Sequence, residues 1–446
     1  MAVWSEVNQS RVTEFQRFDG EFYKPENELI MDILCQTNKT FPVAKYIVEL
    51  TDGKHGGVTY TKEGIVFLRN QNIKNGNIDF LDKKYISLNE SNESKRAELK
   101  PLDIVITTIG TLGEVAIVPE NIERCTINQN LVRMSIANIN PYYLVIFLMT
   151  RFGSRQIIRL ASGNVQPIIV YPNLRKIFIY EPDTDDQQEI AELFKRSIKL
   201  KSLSHSLYFQ AQELLEKELG MDQLVLEKNK SYEATFSEVV GSHRIDAQCY
   251  KPDYIDYEKY LRKRGNFDYL RNVLSSSIKG LQAKAVVSGN IEYVSIKDIT
   301  GLEIYSREKC RQSSKIRVAQ TGDLLLAITG ATIGKIGIVS RSKEVAFSGD
   351  LLSLKTKDNI DPYYLLAVIS NRIGQSQCQR WITGSTNGHL SPTDVNKIVI
   401  PRLAAHLEKS ISELLQASIK ACLESEQLLE QTKKRVEDLI EGVIEQ

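Results

Sequence analysis

The chain is written twice, and that constrains its fold more than any other feature. Arg17-Phe-Asp-Gly-Glu-Phe-Tyr-Lys-Pro25 returns as Arg244-Ile-Asp-Ala-Gln-Cys-Tyr-Lys-Pro252, and Ile139-Asn-Pro-Tyr-Tyr-Leu144 returns as Ile360-Asp-Pro-Tyr-Tyr-Leu365. Ser5-Glu-Val7 matches Ser237-Glu-Val239, the run from Ile65 to Ile73 matches Ile291 to Ile299 in hydrophobic pattern, and Asp103-Ile-Val-Ile-Thr-Thr-Ile-Gly110 pairs with Asp323-Leu-Leu-Leu-Ala-Ile-Thr-Gly330. The order is kept across a shift of roughly 220 residues, which excludes solenoid repeats and propeller blades. Two copies of one domain remain, each long enough to bury its own core.

Within a copy, the Tyr-Lys-Pro anchor leads into a short helical stretch (Glu28 to Cys35 in the first) and then into Val-, Ile-, Phe- and Tyr-rich runs broken by Gly, Asn and Asp turns. Asn140-Pro141 and Asp361-Pro362 each predict a helix start, with Asn or Asp as N-cap and proline in the first turn. Each copy closes with a long helix. In the first, Leu193, Leu200, Leu207 and Leu214 fall seven apart, with Ser197, Ser204 and Ala211 on the neighbouring stripe. In the second, Leu414, Ala421 and Leu428 recur with Ser418, Ser425 and Thr432. The heptads predict a coiled-coil pair whose small residues permit close approach, and a helix from Asp186 to Leu219 would be about 50 Å long, more than one turn of duplex DNA at about 34 Å. The plainer reading is that these helices only cap each domain's core.

Chemistry finds no carrier in this pattern. Asn140-Pro-Tyr-Tyr143 and Asp361-Pro-Tyr-Tyr364 look like the base-holding motif of amino-methyltransferases, but no glycine-rich cofactor turn precedes them, and a proline after an N-cap explains both. Gly330-Ala-Thr-Ile-Gly-Lys335 has three residues between its glycines rather than the four of a phosphate loop, and Ile336 stands where Ser or Thr would hold magnesium. His55, His205, His243, His389 and His406 form no metal-ligand pair, and the six cysteines are scattered, without Cys-x-x-Cys, as reduced and mostly buried thiols would be. Asp19/Asp246 and Asp103/Asp323 recur, but in motifs that look structural. No apolar run approaches the roughly 20 residues that span a bilayer, and the N-terminus lacks a signal-peptide pattern, so the expected location is cytoplasmic. A net charge of +1 means that any nucleic-acid surface must be a local patch.

The run from Asp103 to Val118, its counterpart from Gly322 to Val339, and Gly384-Ser-Thr-Asn-Gly-His-Leu-Ser-Pro392 followed by Lys397-Ile-Val-Ile-Pro401 and a heptad helix resemble the specificity subunits of Type I restriction-modification systems. The first copy departs most: Gly163-Asn-Val-Gln-Pro167 keeps the start of the third motif, but Ile168-Ile-Val-Tyr171 replaces its Leu-Ser-Pro portion. The resemblance implies an α+β fold with two pseudo-symmetric target-recognition domains, each followed by a long helix, the two helices pairing as an antiparallel coiled coil. Residues 1–182 would be the first recognition domain, 183–222 its long helix and linker, 223–403 the second domain, and 404–446 the closing helix. It further implies a non-catalytic subunit that recognises a bipartite, asymmetric double-stranded DNA target and docks two methyltransferase subunits, with restriction or translocase subunits joining through them. No cofactor would be bound by this chain; S-adenosylmethionine, ATP and Mg would belong to the partners, and no membrane is involved. The competing classes are a duplicated protein-interaction scaffold without DNA reading and a stand-alone DNA modification enzyme.

If two half-sites are read, the segments that fail to match, Thr51 to Tyr60 against Ser277 to Val286, should carry the specificity. Candidate readers in the first copy are Lys54, His55, Arg69, Asn70, Gln71, Asn72 and Lys74, because Arg, Asn and Gln can bond base edges bidentately; the run from Arg69 could equally be the polar face and turn of a strand hairpin. In the second copy the candidates are Lys279, Gln282, Lys284 and Lys297. The glycine loops with Thr108, Gly110 and Gly113, and with Thr329, Gly330, Gly334 and Lys335, would present backbone N–H groups to phosphate or else form tight turns inside the core. Asn164 and Gln166, and Ser385, Asn387 and His389, mark a third pair of loops.

Overall fold

The computed structural model describes residues 6–163, 166–224, 231–313, 315–384 and 387–442. The chain divides into two compact units, residues 1–200 with 424–446 and residues 201–423. In the first unit, strands Ile47–Asp52, Leu131–Ile136, Ile104–Thr107 and Val115–Ile117 lie side by side in that order, antiparallel throughout. The second unit repeats the arrangement with Leu274–Lys279, Leu351–Thr356, Leu324–Ala327 and Ile336–Ile338.

The uninterrupted apolar runs of the central strands have a physical cause. Successive side chains of a strand point to opposite faces, and here both faces are buried. Ile104 and Ile106 join the core beneath helices Pro141–Met149 and Arg151–Leu160, whereas Val105 joins a separate cluster with Val66, Leu68 and Ile127. In the second unit Leu324 and Leu326 face one core, and Leu325 and Ala327 the other. The smaller cluster rests on a short second sheet: Lys84–Ile86, Ile65–Leu68 and Cys125–Ile127 in the first unit, and Lys309–Cys310, Ile291–Val294, Glu344–Phe347 and Val318–Gln320 in the second.

The repeated motifs are framework. Asn140 accepts from Tyr142 N–H at 3.0 Å and Asp361 from Tyr363 N–H at 2.8 Å, so both are N-caps as expected. The buried Tyr143 and Tyr364 hydroxyls donate to Tyr180 O at 2.5 Å and Pro401 O at 2.8 Å, tying each capped helix to an edge strand. Arg17 grips Asp19 and the carbonyl of Ala161; Arg244 grips Asp246 and the carbonyls of Trp381 and Ile382. Asp103 and Asp323 are buried and accept from Lys100 N–H and Gln320 N–H, closing equivalent turns.

Two long helices, Thr184–Leu219 and Ala405–Gly442, contribute to both units and run antiparallel within each. In the first unit Ser197 Oγ donates to Ser425 O at 2.9 Å, and Ser425 Oγ donates back to Ser197 O at 2.8 Å. In the second unit Ser418 Oγ donates to Ser204 O at 2.7 Å. The buried stripe is therefore the small one, Ser197, Ser204 and Ala211 with Ser418, Ser425 and Thr432, whereas Leu193, Leu200, Leu207 and Leu214 are only half-buried beside it. Four of the six cysteines are buried, and none of the six is in a disulfide. No helix among the described residues is long and apolar enough to cross a membrane.

Candidate nucleic-acid interface

The divergent segments leave the framework at matching glycines. Beyond strand Ile47–Asp52, Gly53 N–H donates to Leu131 O at 3.1 Å and Lys54 N–H to Ile127 O at 2.8 Å. Beyond Leu274–Lys279, Gly280 N–H donates to Leu351 O at 3.0 Å and Leu281 N–H to Phe347 O at 3.2 Å. These bonds set Lys54 against Leu281 and His55 against Gln282, one framework position with different chemistry in each unit.

Several expected readers are instead committed internally. Lys54 is only 8% exposed, with its ammonium on Glu93 at 2.9 Å. Asn72 is 1% exposed: its Oδ1 accepts from Arg69 N–H, and its Nδ2 donates to Asp79 O, closing a capping box on the 3-10 turn Asn70–Asn72. Ser295 and Asp298 build the same box in the second unit, which explains why the pattern recurs there. Arg69 and Gln71 both hold Asp82, and Asn70 donates to Ile109 O. Lys297 is paired with Glu308. His55 is exposed and faces Asp52, which Arg96 also holds at 3.1 Å. Gln282 is exposed, fixed to Asp350 at 2.7 Å and to the Tyr293 hydroxyl at 3.1 Å. Lys74, Lys279, Lys284 and Lys335 are exposed and have no acidic partner among the described residues.

The glycine loops and the third loops meet in each unit. Ile169 N–H donates to Thr108 O, and Ser162 pairs with Ile168; Leu390 N–H donates to Ile328 O, and Thr383 pairs with His389. Thr329 Oγ1 and His389 Nδ1 are 3.4 Å apart, and Thr108 is buried with its hydroxyl on Asn130 O. The loop glycines Gly110, Gly113, Gly330 and Gly334 have φ of 85°, 84°, 75° and 92°, a region that side chains disfavour. Three of their N–H groups are used within the protein, Gly113 donating to Thr107 O, Gly330 to Gly388 O and Gly334 to Ala327 O, which is the tight-turn alternative at those three positions. Gln166 and Asn387 are exposed at the loop tips; Asn164 and Ser385 lie outside the described residues. Position 114 is Glu at the end of the first glycine loop, where the second has Lys335.

Sequence reading passed over one group of side chains. Arg307, Lys309, Arg311, Lys315 and Arg317 are all exposed beside the second unit's divergent segment. The available signal was local: five cations against one acid, Glu308, in a chain of net charge +1. Among the described residues there is no cluster of His, Cys, Asp and Glu able to hold a metal ion.

Residues 48–208 match the family model described as Type I restriction modification DNA specificity domain. A curated relative, the Type I restriction enzyme EcoBI specificity subunit of Escherichia coli, is 25% identical over 174 residues, covering 37% of this chain and 35% of the relative. The matched stretch thus spans about a third of that relative's length. Among solved structures, the Type-I restriction-modification system S subunit from M. genitalium aligns with a TM-score of 0.45 at 13% identity, covering 90% of this chain and 94% of that one. The HsdS subunit from Thermoanaerobacter tengcongensis aligns with a TM-score of 0.30 at 14% identity, covering 90% and 96%.

Proposed function

We propose that this chain is a Type I restriction-modification specificity subunit, a reading supported by the match over residues 48–208, and the non-catalytic reader of a bipartite, asymmetric DNA target, with one half-site taken by each unit. The carrying observation is one framework present twice with different side chains at matched positions: Lys54 against Leu281, His55 against Gln282, Glu114 against Lys335 and Ile168 against His389. Framework contacts to phosphate position a protein, and side chains at base edges specify sequence, so equal frameworks with unequal loops suit unequal half-sites. Two methyltransferase subunits dock on this chain and carry the chemistry with S-adenosylmethionine; restriction or translocase subunits that use ATP and Mg join through them.

The test is to map methylated adenines in a host genome with and without the chain. One bipartite motif should appear and disappear with it. His55→Ala should relax one half of that motif and His389→Ala the other, each by about 1–3 kcal/mol of discrimination. Equal loss at both halves from either substitution would contradict the assignment of one half-site per unit.

A further inference from the structure

We propose that Arg307, Lys309, Arg311, Lys315 and Arg317 form a phosphate clamp of the second unit, so that the salt-dependent part of DNA affinity is carried chiefly by this unit. The inference rests on the DNA-reading function above and adds residues and an asymmetry to it.

The segment links two edge strands, Lys309–Cys310 and Val318–Gln320, of the smaller sheet. Strand alternation explains its charge: Cys310 is buried in the core, so its neighbours Lys309 and Arg311 point outward. Arg307, Lys315 and Arg317 are exposed as well, and none of the five has a carboxylate partner among the described residues. The one acid in the segment, Glu308, is taken by Lys297 from outside it, which leaves the five charges uncompensated locally.

The segment is clipped to the stretch that carries Lys279, Gln282 and Lys284. Val286 N–H donates to Lys309 O at 2.8 Å, Asn290 N–H to Cys310 O at 3.0 Å, and Gln312 N–H to Asn290 Oδ1 at 2.9 Å. A β-carbon on Gly289 would stand 2.6 Å from Lys309 Cβ, so the two backbones touch. A backbone held here would therefore lie beside the candidate readers. Five cations without a carboxylate partner among the described residues suit a phosphate backbone, and Ile316, the one large aliphatic residue of the segment, packs inward against the Ile291–Tyr293 cluster.

On the corresponding edge of the first unit the cations are largely paired, with Lys83 beside the edge strand left without a carboxylate partner among the described residues. Lys84 and Arg69 pair with Asp82 at 3.7 and 3.1 Å, Arg96 with Asp52 at 3.1 Å, and Arg124 with Glu98 at 3.1 Å.

The experiment is a salt titration of the full chain on a labelled mixed-sequence duplex, with and without methyltransferase subunits. Each lost phosphate contact lowers the slope of log K against log salt by about 0.9. Arg311→Ala/Lys315→Ala/Arg317→Ala should therefore lower it by roughly 2–3 and weaken all duplexes alike, whereas Lys84→Ala/Arg96→Ala/Arg124→Ala should leave it near the parental value. Arg311→Gln/Lys315→Gln, with a slope lower by roughly 1.8, serves as the milder variant if the triple one fails to fold. A parental slope in the second-unit variants, or equal losses from both units, would overturn the clamp while leaving DNA reading intact. Failure of the parental protein to bind any duplex, even with methyltransferase present, would overturn both.

Discussion

A β-carbon added to Gly53 would stand 2.0 Å from the carbonyl oxygen of Asn128, and one added to Gly280 2.1 Å from that of Ser348. Both obstacles are backbone, so neither can rotate away, and overpacking of this kind costs about 1–3 kcal/mol. Gly280→Ala should lower the thermal midpoint accordingly, whereas Gly57→Ala, with nothing within 4 Å, should leave it nearly unchanged. This glycine match was hidden in the sequence because the flanking residues diverge. The candidate readers divide for the opposite reason: residue type announces polarity, but not whether the polar atoms are already used, and Asn72 and Lys54 are used. The missing Leu-Ser-Pro of the first copy proves to be a missing cap. Ser391 Oγ accepts from Asp394 N–H at 3.1 Å, while Val170 offers no side-chain cap to its own short helix, which forms regardless. Ser391→Ala should therefore cost about 0.5–2 kcal/mol by thermal denaturation without abolishing the fold. A residue-level pH effect follows from the repeated Arg-x-Asp motif. Hydrogen bonding from Arg244 holds the Asp246 carboxyl below the ordinary carboxylate range. A carboxyl whose folded pKa is depressed stabilises above its unfolded pKa, and that stabilisation is lost as pH falls through the folded value. Asp246→Asn should thus lower stability at neutral pH and flatten its fall in the acid limb, read by thermal unfolding across pH.

At the scale of elements, both the heptad period and the small-residue stripe were visible, but the degree to which the leucines beside that stripe stay out of it was not. Two parallel stripes share the period, and hydrophobicity alone favours the leucines. The structure buries the small residues instead, because a hydroxyl can reach across to the facing carbonyl only when the helices approach closely. Ser418 is 2% exposed and donates to Ser204 O at 2.7 Å. Its replacement by Ala should cost about 1 kcal/mol, the usual net worth of one hydrogen bond. Leu at the same position should cost more, about 1–3 kcal/mol, by forcing the helices apart. Thermal unfolding that ranked Leu above Ala would contradict the close approach. The central strands were easier to anticipate as elements than as neighbours. Runs such as Leu324-Leu-Leu-Ala327 announce burial, and only the two separate cores explain why alternation is absent.

At the scale of the molecule, the duplication made the architecture readable, and the antiparallel helices turn it into a testable ruler. The hydrogen-bonded pairs Ser197 with Ser425 and Ser204 with Ser418 each lie inside their own unit. Between them the first helix passes from one unit to the other at Leu200 and Lys201, and the second at Leu423 and Glu424. A heptad inserted at both points would lengthen each helix by about 10.5 Å at 1.5 Å per residue while keeping the buried stripe in phase. At about 3.4 Å per base pair, that corresponds to roughly three base pairs. If each unit holds its own half-site, the methylated motif should keep both half-sequences and gain about three positions between them, read by methylation mapping in a host genome. A heptad in only one helix leaves seven residues unopposed and breaks one of the two serine pairs, so it should lower the thermal midpoint rather than shift the spacing. An unchanged spacer after the paired insertion would show that the long helices cap their cores and do not measure the target.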